Sequence, residues 1–199
     1  MSEKGVRMKR VCLFGGTFDP PHIGHLHIAE KVLEMLDLDE VWFIPTYHPP
    51  HKDKAETASH HRLQMVSLMI EGQERFRVEA IELERKGKSY TIDTIAQLKR
   101  KYPNTEFYFL IGGDQVQELS TWKRFDELVD IVQFIGVERP GYQWKDAPYV
   151  KKLSIPLIDV SSTEIRQRIK TGRPFCHLLH EKVFHYIKEN GLYGYRKSD

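Results

Sequence analysis

Cysteine is scarce: the 199 residues hold two, Cys12 and Cys176, far apart and in no CxxC spacing. That excludes a disulfide framework and a cysteine-built zinc site, and it reads most simply as a chain of a reducing compartment. Long apolar runs are missing as well. The segment Val11 to Phe14 is too short for a signal peptide, and nothing approaches the roughly 18 residues of a membrane span. No sign of charge dominates, with 30 Lys and Arg against 28 Asp and Glu, so the one-sided basic field of a general nucleic-acid binder is absent. These absences lead to a cytoplasmic protein without membrane or nucleic-acid partners; association into a homo-oligomer is left open.

What is present is enough apolar residue, 40%, for one sizeable core. Residues 1–7 are polar and precede a second methionine, Met8, so they read as a disordered leader ahead of a domain over 8–195. From Arg10 onward short apolar runs alternate with helical periodicity, the pattern of βαβ units around a parallel sheet. Strands are expected at 10–15, 39–46, 75–83, 106–113, 132–141 and 155–160. Helices are expected at 23–36, 61–72, 91–102, 125–130, 162–172 and 178–191, with Gly172 and Gly191 as C-terminal caps. The polar stretches 47–59 and 139–152 read as loops. The expected fold is α/β, a single-domain Rossmann-like doubly wound parallel sheet with helices on both faces. In such sheets ligands bind outside the carboxyl ends of the strands, so 15–25, 45–52 and 112–114 share the chemically relevant rim.

One segment on that rim, "LFGGTFDPPHIGHLHIAE" from Leu13, concentrates unusual residues. Gly15 and Gly16 after a strand allow a sharp turn and close backbone approach to a bound group. The helix that follows points free N–H groups and the positive end of its dipole at the same place, which suits phosphate. His22 and His25, three apart, both face the incoming anion as donors, although the spacing also allows a surface pair or metal ligands. Asp19 reads as a turn holder rather than a metal ligand. Farther on, "SSTEIRQRIK" has a capping box, Ser161 or Ser162 with Glu164, and adds Arg166 and Arg168 close behind another helix start. Lys52 ends a proline-stiffened loop where a point cation could meet a phosphate. Cys12, in the first strand, reads as core.

"GGTFDPPHIGHL" with its HxGH box at His22 to His25 resembles the nucleotidyltransferase signature, and "SSTEIR" is similar to the same superfamily's second motif. "PPHK", "SYTIDT", "IGGD", Trp122 and "ERPG" narrow the likeness to the bacterial nicotinate-mononucleotide adenylyltransferases, over about Lys9 to Tyr193. The resemblance implies AMP transfer from ATP to nicotinate mononucleotide, giving nicotinate adenine dinucleotide and pyrophosphate. It implies His22, His25 and Arg166 as catalytic residues. On the ATP side it implies Gly15, Gly16, Thr17, Phe18, Gly112, Asp114, Ser161, Ser162 and Thr163 beside those three. On the mononucleotide side it implies Lys52, Tyr90, Thr91 and Trp122. Mg²⁺ would be held by ATP phosphates rather than by a protein metal site. Relatives often have an aromatic residue after this tryptophan, where this chain has Lys123. The competing expectations are a phosphopantetheine adenylyltransferase, which shares both boxes, and a nucleotide-binding sensor without turnover.

Overall fold

The computed structural model describes residues 7–48, 55–138, 144 and 147–196. In chain order the elements are β1 (Lys9–Gly16), α1 (Ile23–Leu36), β2 (Glu40–Pro45), α2 (Ser59–Met69), β3 (Phe76–Val78), α3 (Ile81–Arg85), α4 (Thr91–Lys101) and β4 (Thr105–Gly112). They continue with α5 (Gly113–Glu118), α6 (Phe125–Ile131), β5 (Gln133–Glu138), β6 (Val150–Ser154), α7 (Ser162–Lys170) and α8 (Glu181–Glu189). Every strand pair is parallel, and the sheet order is β3-β2-β1-β4-β5-β6. The chain therefore lays strands outward from β1 in one direction, returns beside β1 with β4, and proceeds the other way. The reversal leaves a crevice at the carboxyl ends of β1 and β4, the switch point where such sheets bind ligands.

Strand alternation divides the core into two layers. Cys12, Val41, Phe43, Tyr108 and Leu110 face one side, where α1, α2, α7 and α8 press Val32, Met65, Ile165 and Val183 against them. Val11, Leu13, Trp42, Phe107 and Phe109 face the other, covered by Ile81 of α3, Ile95 of α4, Val116 of α5 and Leu128 of α6. Such near-continuous apolar strands are what a sheet buried on both faces requires. Cys12 is fully buried as expected, and burial pushes its thiol pKa up, so it stays a neutral core side chain.

Three elements differ from the sequence expectation. The expected strand 75–83 ends at Val78. Glu79 is buried beneath Arg77, Lys101 and Tyr102, and Ile81 enters the core from a short helix instead. The expected strand 155–160 is unpaired, and the sixth strand is Val150–Ser154, inside the stretch read as a loop. An edge strand needs only one buried residue here: Leu153 faces the core while Lys151 and Lys152 are exposed, which hides the period-2 apolar signal. The helix Gly113–Glu118 is also absent from the sequence expectation, because Gly113 directly follows the strand; the Gln115 amide caps its start by accepting from the Gly112 N–H at 3.1 Å.

Candidate active site

The crevice is lined first by the turn after β1. A Cβ on Gly16 would lie 2.8 Å from the Phe18 ring, so only glycine lets that ring fold back under the turn. Phe18 is buried and packs edge-on to Phe43 and His25. Asp19 then fastens the segment. Its Oδ2 accepts from the N–H groups of Glu56 and Thr57 at 2.7 and 3.3 Å, and its Oδ1 accepts from the Tyr193 hydroxyl at 2.7 Å. Both oxygens are thereby spent on structure, in line with a turn-holding role.

His22 is the extended N-cap of α1 and His25 sits one turn on, their rings stacked with centroids 3.7 Å apart. The His22 N–H donates to His25 Nδ1 at 3.2 Å. Since that nitrogen accepts, the neutral His25 ring carries its proton on Nε2, a donor directed by the backbone itself. Burial pulls His22 down to about 4, and burial together with the neighbouring His22 holds His25 well below its ordinary value. At neutral pH the pair is uncharged. His22 Nδ1 faces the first turn of its own helix, 3.1 Å from where a Cβ on Gly24 would lie. The first turn of α1 contains no acidic residue to compete with an anion for its N–H groups.

The second motif meets the first at this point. Ser161 caps α7 by accepting from the Glu164 N–H at 3.1 Å, and Ser162 donates to the Pro20 carbonyl at 2.8 Å. Arg166 donates through Nη1 to the Asp19 carbonyl at 2.8 Å and through Nη2 to Thr163 Oγ1 at 3.4 Å, while its Nε meets Glu56 Oε1 at 2.9 Å. Glu164 turns to Arg168 at 2.8 Å, away from this face. Two helix starts and an arginine thus converge on one turn, packed so closely that a Cβ on Gly24 would lie only 2.9 Å from Val160 Cγ1.

Gly112 and Asp114 lie across the switch point: both β1 and β4 run two residues past the Phe14–Leu110 pair and end in glycine, Gly16 and Gly112. Asp114 is exposed in the first turn of α5. Gly15 and Thr17, at the end of β1 and just past it, are half-buried. On the far side of the sheet, Tyr90 caps α4, Thr91 opens it, and Trp122 packs edge-on against Phe109 and Phe134. Lys123 joins these pieces. Its Nζ lies 4.2 Å from the Tyr90 ring centroid and 3.1 Å from Asp93 Oδ2, tying the tryptophan loop to the first turn of α4. Lys52 lies outside the described residues, as do residues 139–141.

Sequence reasoning passed over Arg62. The residue is 1% exposed, and its guanidinium donates to the carbonyls of Thr17, Thr46 and Thr57 at 2.7, 2.8 and 3.2 Å. Three rim segments hang on that one cation, whose pKa burial lowers. The adjoining His-His-Arg run at 60–62 could have flagged it, but within an apolar helical pattern an arginine reads as surface. Buried Glu82 and Thr94 form a second polar group with half-buried Arg85, Thr94 donating to Glu82 at 2.8 Å and Arg85 donating to Thr94 at 2.9 Å. Among the described residues no three His, Cys, Asp or Glu side chains gather as metal ligands, and no helix is long and apolar enough to cross a membrane.

Known proteins share both the sequence and the fold. A family model described as cytidylyltransferase-like matches residues 13–168. A Bacillus licheniformis protein named probable nicotinate-nucleotide adenylyltransferase is 49% identical over 187 residues, covering 94% of this chain and 99% of the relative. The nicotinate-nucleotide adenylyltransferase of Bacillus subtilis is 47% identical over 188 residues, again covering 94% and 99%. A solved structure of Plasmodium falciparum nicotinic acid mononucleotide adenylyltransferase complexed with NaAD superposes with a TM-score of 0.79 at 24% identity, over 96% of this chain and 100% of that one, and supports the fold.

Proposed function

Since this chain belongs to the nicotinate-nucleotide adenylyltransferase family, we propose that it transfers AMP from ATP to nicotinate mononucleotide, yielding nicotinate adenine dinucleotide and pyrophosphate. The observation that carries the reading is the meeting of His22, His25 and Arg166 around the Asp19 turn at the switch point of the sheet.

A phosphate oxygen of the mononucleotide attacks the α-phosphorus of ATP; the new P–O bond forms as the bond to the bridging oxygen of pyrophosphate breaks, and pyrophosphate leaves with the electron pair. The attacking phosphate has a second pKa of about 6 and needs no general base. Catalysis is then positioning and charge stabilisation. His25 donates from Nε2 to the α-phosphate, where charge builds. His22, Thr17 and Arg166 hold the departing pyrophosphate, with Ser162 and Thr163 beside them. Gly15, Gly16 and Phe18 shape the turn, Gly112 and Asp114 meet the adenosine, and Ser161 serves through the helix cap. Tyr90 and Trp122 enclose the pyridine ring, Thr91 and its neighbouring N–H groups hold the ring carboxylate, and Lys52 meets the mononucleotide phosphate. With both carboxylate oxygens of Asp19 engaged, Mg²⁺ would be held by substrate phosphates and water, where it offsets their repulsion. A cytoplasmic location belongs to the same reading, supported by two unpaired cysteines.

The test is pyrophosphate release from ATP and Mg²⁺ with nicotinate mononucleotide, nicotinamide mononucleotide or phosphopantetheine as acceptor. Release dominated by the nicotinate substrate supports the proposal. Equal rates with the nicotinamide form would remove the acid preference, release only with phosphopantetheine would replace the substrate, and silence with all three would leave a binding protein.

A further inference from the structure

One carboxylate holds two cations at the mouth of this site. Glu56 Oε1 lies 2.9 Å from Arg166 Nε, and Glu56 Oε2 lies 2.9 Å from Lys170 Nζ. Arg166 and Lys170 are four residues apart on α7, so they project from one helix face. Glu56 is itself anchored to the phosphate turn: its N–H donates to Asp19 Oδ2, while the Asp19 carbonyl accepts from Arg166. The hydrogen bond from Lys170, and after it that from Arg166, keeps the Glu56 carboxyl below the usual carboxylate range. Neither cation is neutralised from within its own helix, because the one acid of α7, Glu164, is taken by Arg168.

An anion with one oxygen on a guanidinium and another on an ammonium has the arrangement in which these two groups would hold a phosphate. Resting on the reading that ATP binds here, the geometry points to Lys170 as a further phosphate-binding residue, which with Arg166 holds the terminal phosphate of ATP and the departing pyrophosphate at the position Glu56 now fills. Entry of the phosphate exchanges one anion for another, so the two cations are never left unpaired. Glu56 is then a built-in competitor: it weakens phosphate binding and re-closes behind pyrophosphate as it leaves. The partners are all side chains at least partly exposed, so the exchange needs no opening of the core.

The probe is inorganic pyrophosphate with Mg²⁺, titrated calorimetrically into the intact protein and into Lys170→Ala, Lys170→Arg and Glu56→Gln, with thermal melts confirming that each variant folds. Loss of one charge-assisted contact predicts about tenfold weaker binding for Lys170→Ala, near-normal binding for Lys170→Arg, and several-fold tighter binding for Glu56→Gln. In turnover the KM for ATP follows the same order while the KM for the mononucleotide stays fixed. Unchanged binding in Lys170→Ala, or weaker binding in Glu56→Gln, overturns the inference; the second result would make Glu56 a helper of the bound anion or its metal. Because pyrophosphate binding requires no transfer, a protein that makes no dinucleotide yet shows this order refutes the proposed reaction and leaves the inference standing.

Discussion

At the scale of single residues, the unusual feature is a pair of histidines kept neutral where the proposed reaction brings polyanions. Fixed positive charge would bind ground state and transition state alike, whereas in the proposed reaction a neutral Nε2–H aimed by a backbone contact would serve as a hydrogen-bond donor where charge develops. Gly24 matters for a steric reason. Its missing Cβ leaves room for Val160, which leads into the Ser161 cap, so Gly24→Ala should push α1 and the second motif apart. The expected cost is about 1–3 kcal/mol of stability, outweighing alanine's better helix propensity, together with a raised KM for ATP. Denaturant unfolding and initial rates at varied ATP measure the two effects; a more stable variant with unchanged KM would show that the close approach is dispensable.

At the scale of elements, the site is an arrangement of helix starts around a turn, and Arg62 holds the arrangement from beneath. Arg62→Met leaves the carbonyls of Thr17, Thr46 and Thr57 without this donor, which should cost about 3 kcal/mol or more. Arg62→Lys, unable to reach all three, should fall in between; chemical denaturation of both variants checks the order, and a Met variant as stable as the parent would contradict it. Much of this arrangement could be read in the sequence. The Gly-Gly turn, the HxGH box and the Ser-Ser-Thr cap mark chain reversals whose local chemistry is written in adjacent residues. What could not be read depends on distant partners. Ile81 is apolar in either a strand or a helix, and only the short pairing of β3 with β2 makes the helix. Leu153 is one buried residue among lysines, so β6 shows no alternating pattern. Arg62 and Tyr193 reach the turn across 45 and 174 residues of sequence, a proximity no local pattern records.

At the scale of the whole molecule, burying neutral histidines couples the fold to acidity. His22 has a folded pKa of about 4 against an ordinary 6.5, so the unfolded chain binds the proton more readily. Its contribution is therefore fully present above pH 6.5, is lost as the pH falls toward 4, and amounts to about 3 kcal/mol. His25, held down in the same direction, adds to the loss. Urea midpoints at pH 7.5 and 4.5 should show a clearly smaller acid drop for His22→Gln than for the parent chain; equal drops would mean that the pair is not buried in its neutral form. The central claim, that this sheet carries AMP transfer by donors aimed from helix starts, is tested most directly by following formation of nicotinate adenine dinucleotide from ATP and nicotinate mononucleotide in the parent chain and in His25→Ala. The account predicts dinucleotide from the parent and a kcat lower by on the order of 10²–10³ in the variant, with the KM for both substrates little changed. A variant that forms dinucleotide at the parent rate would contradict it.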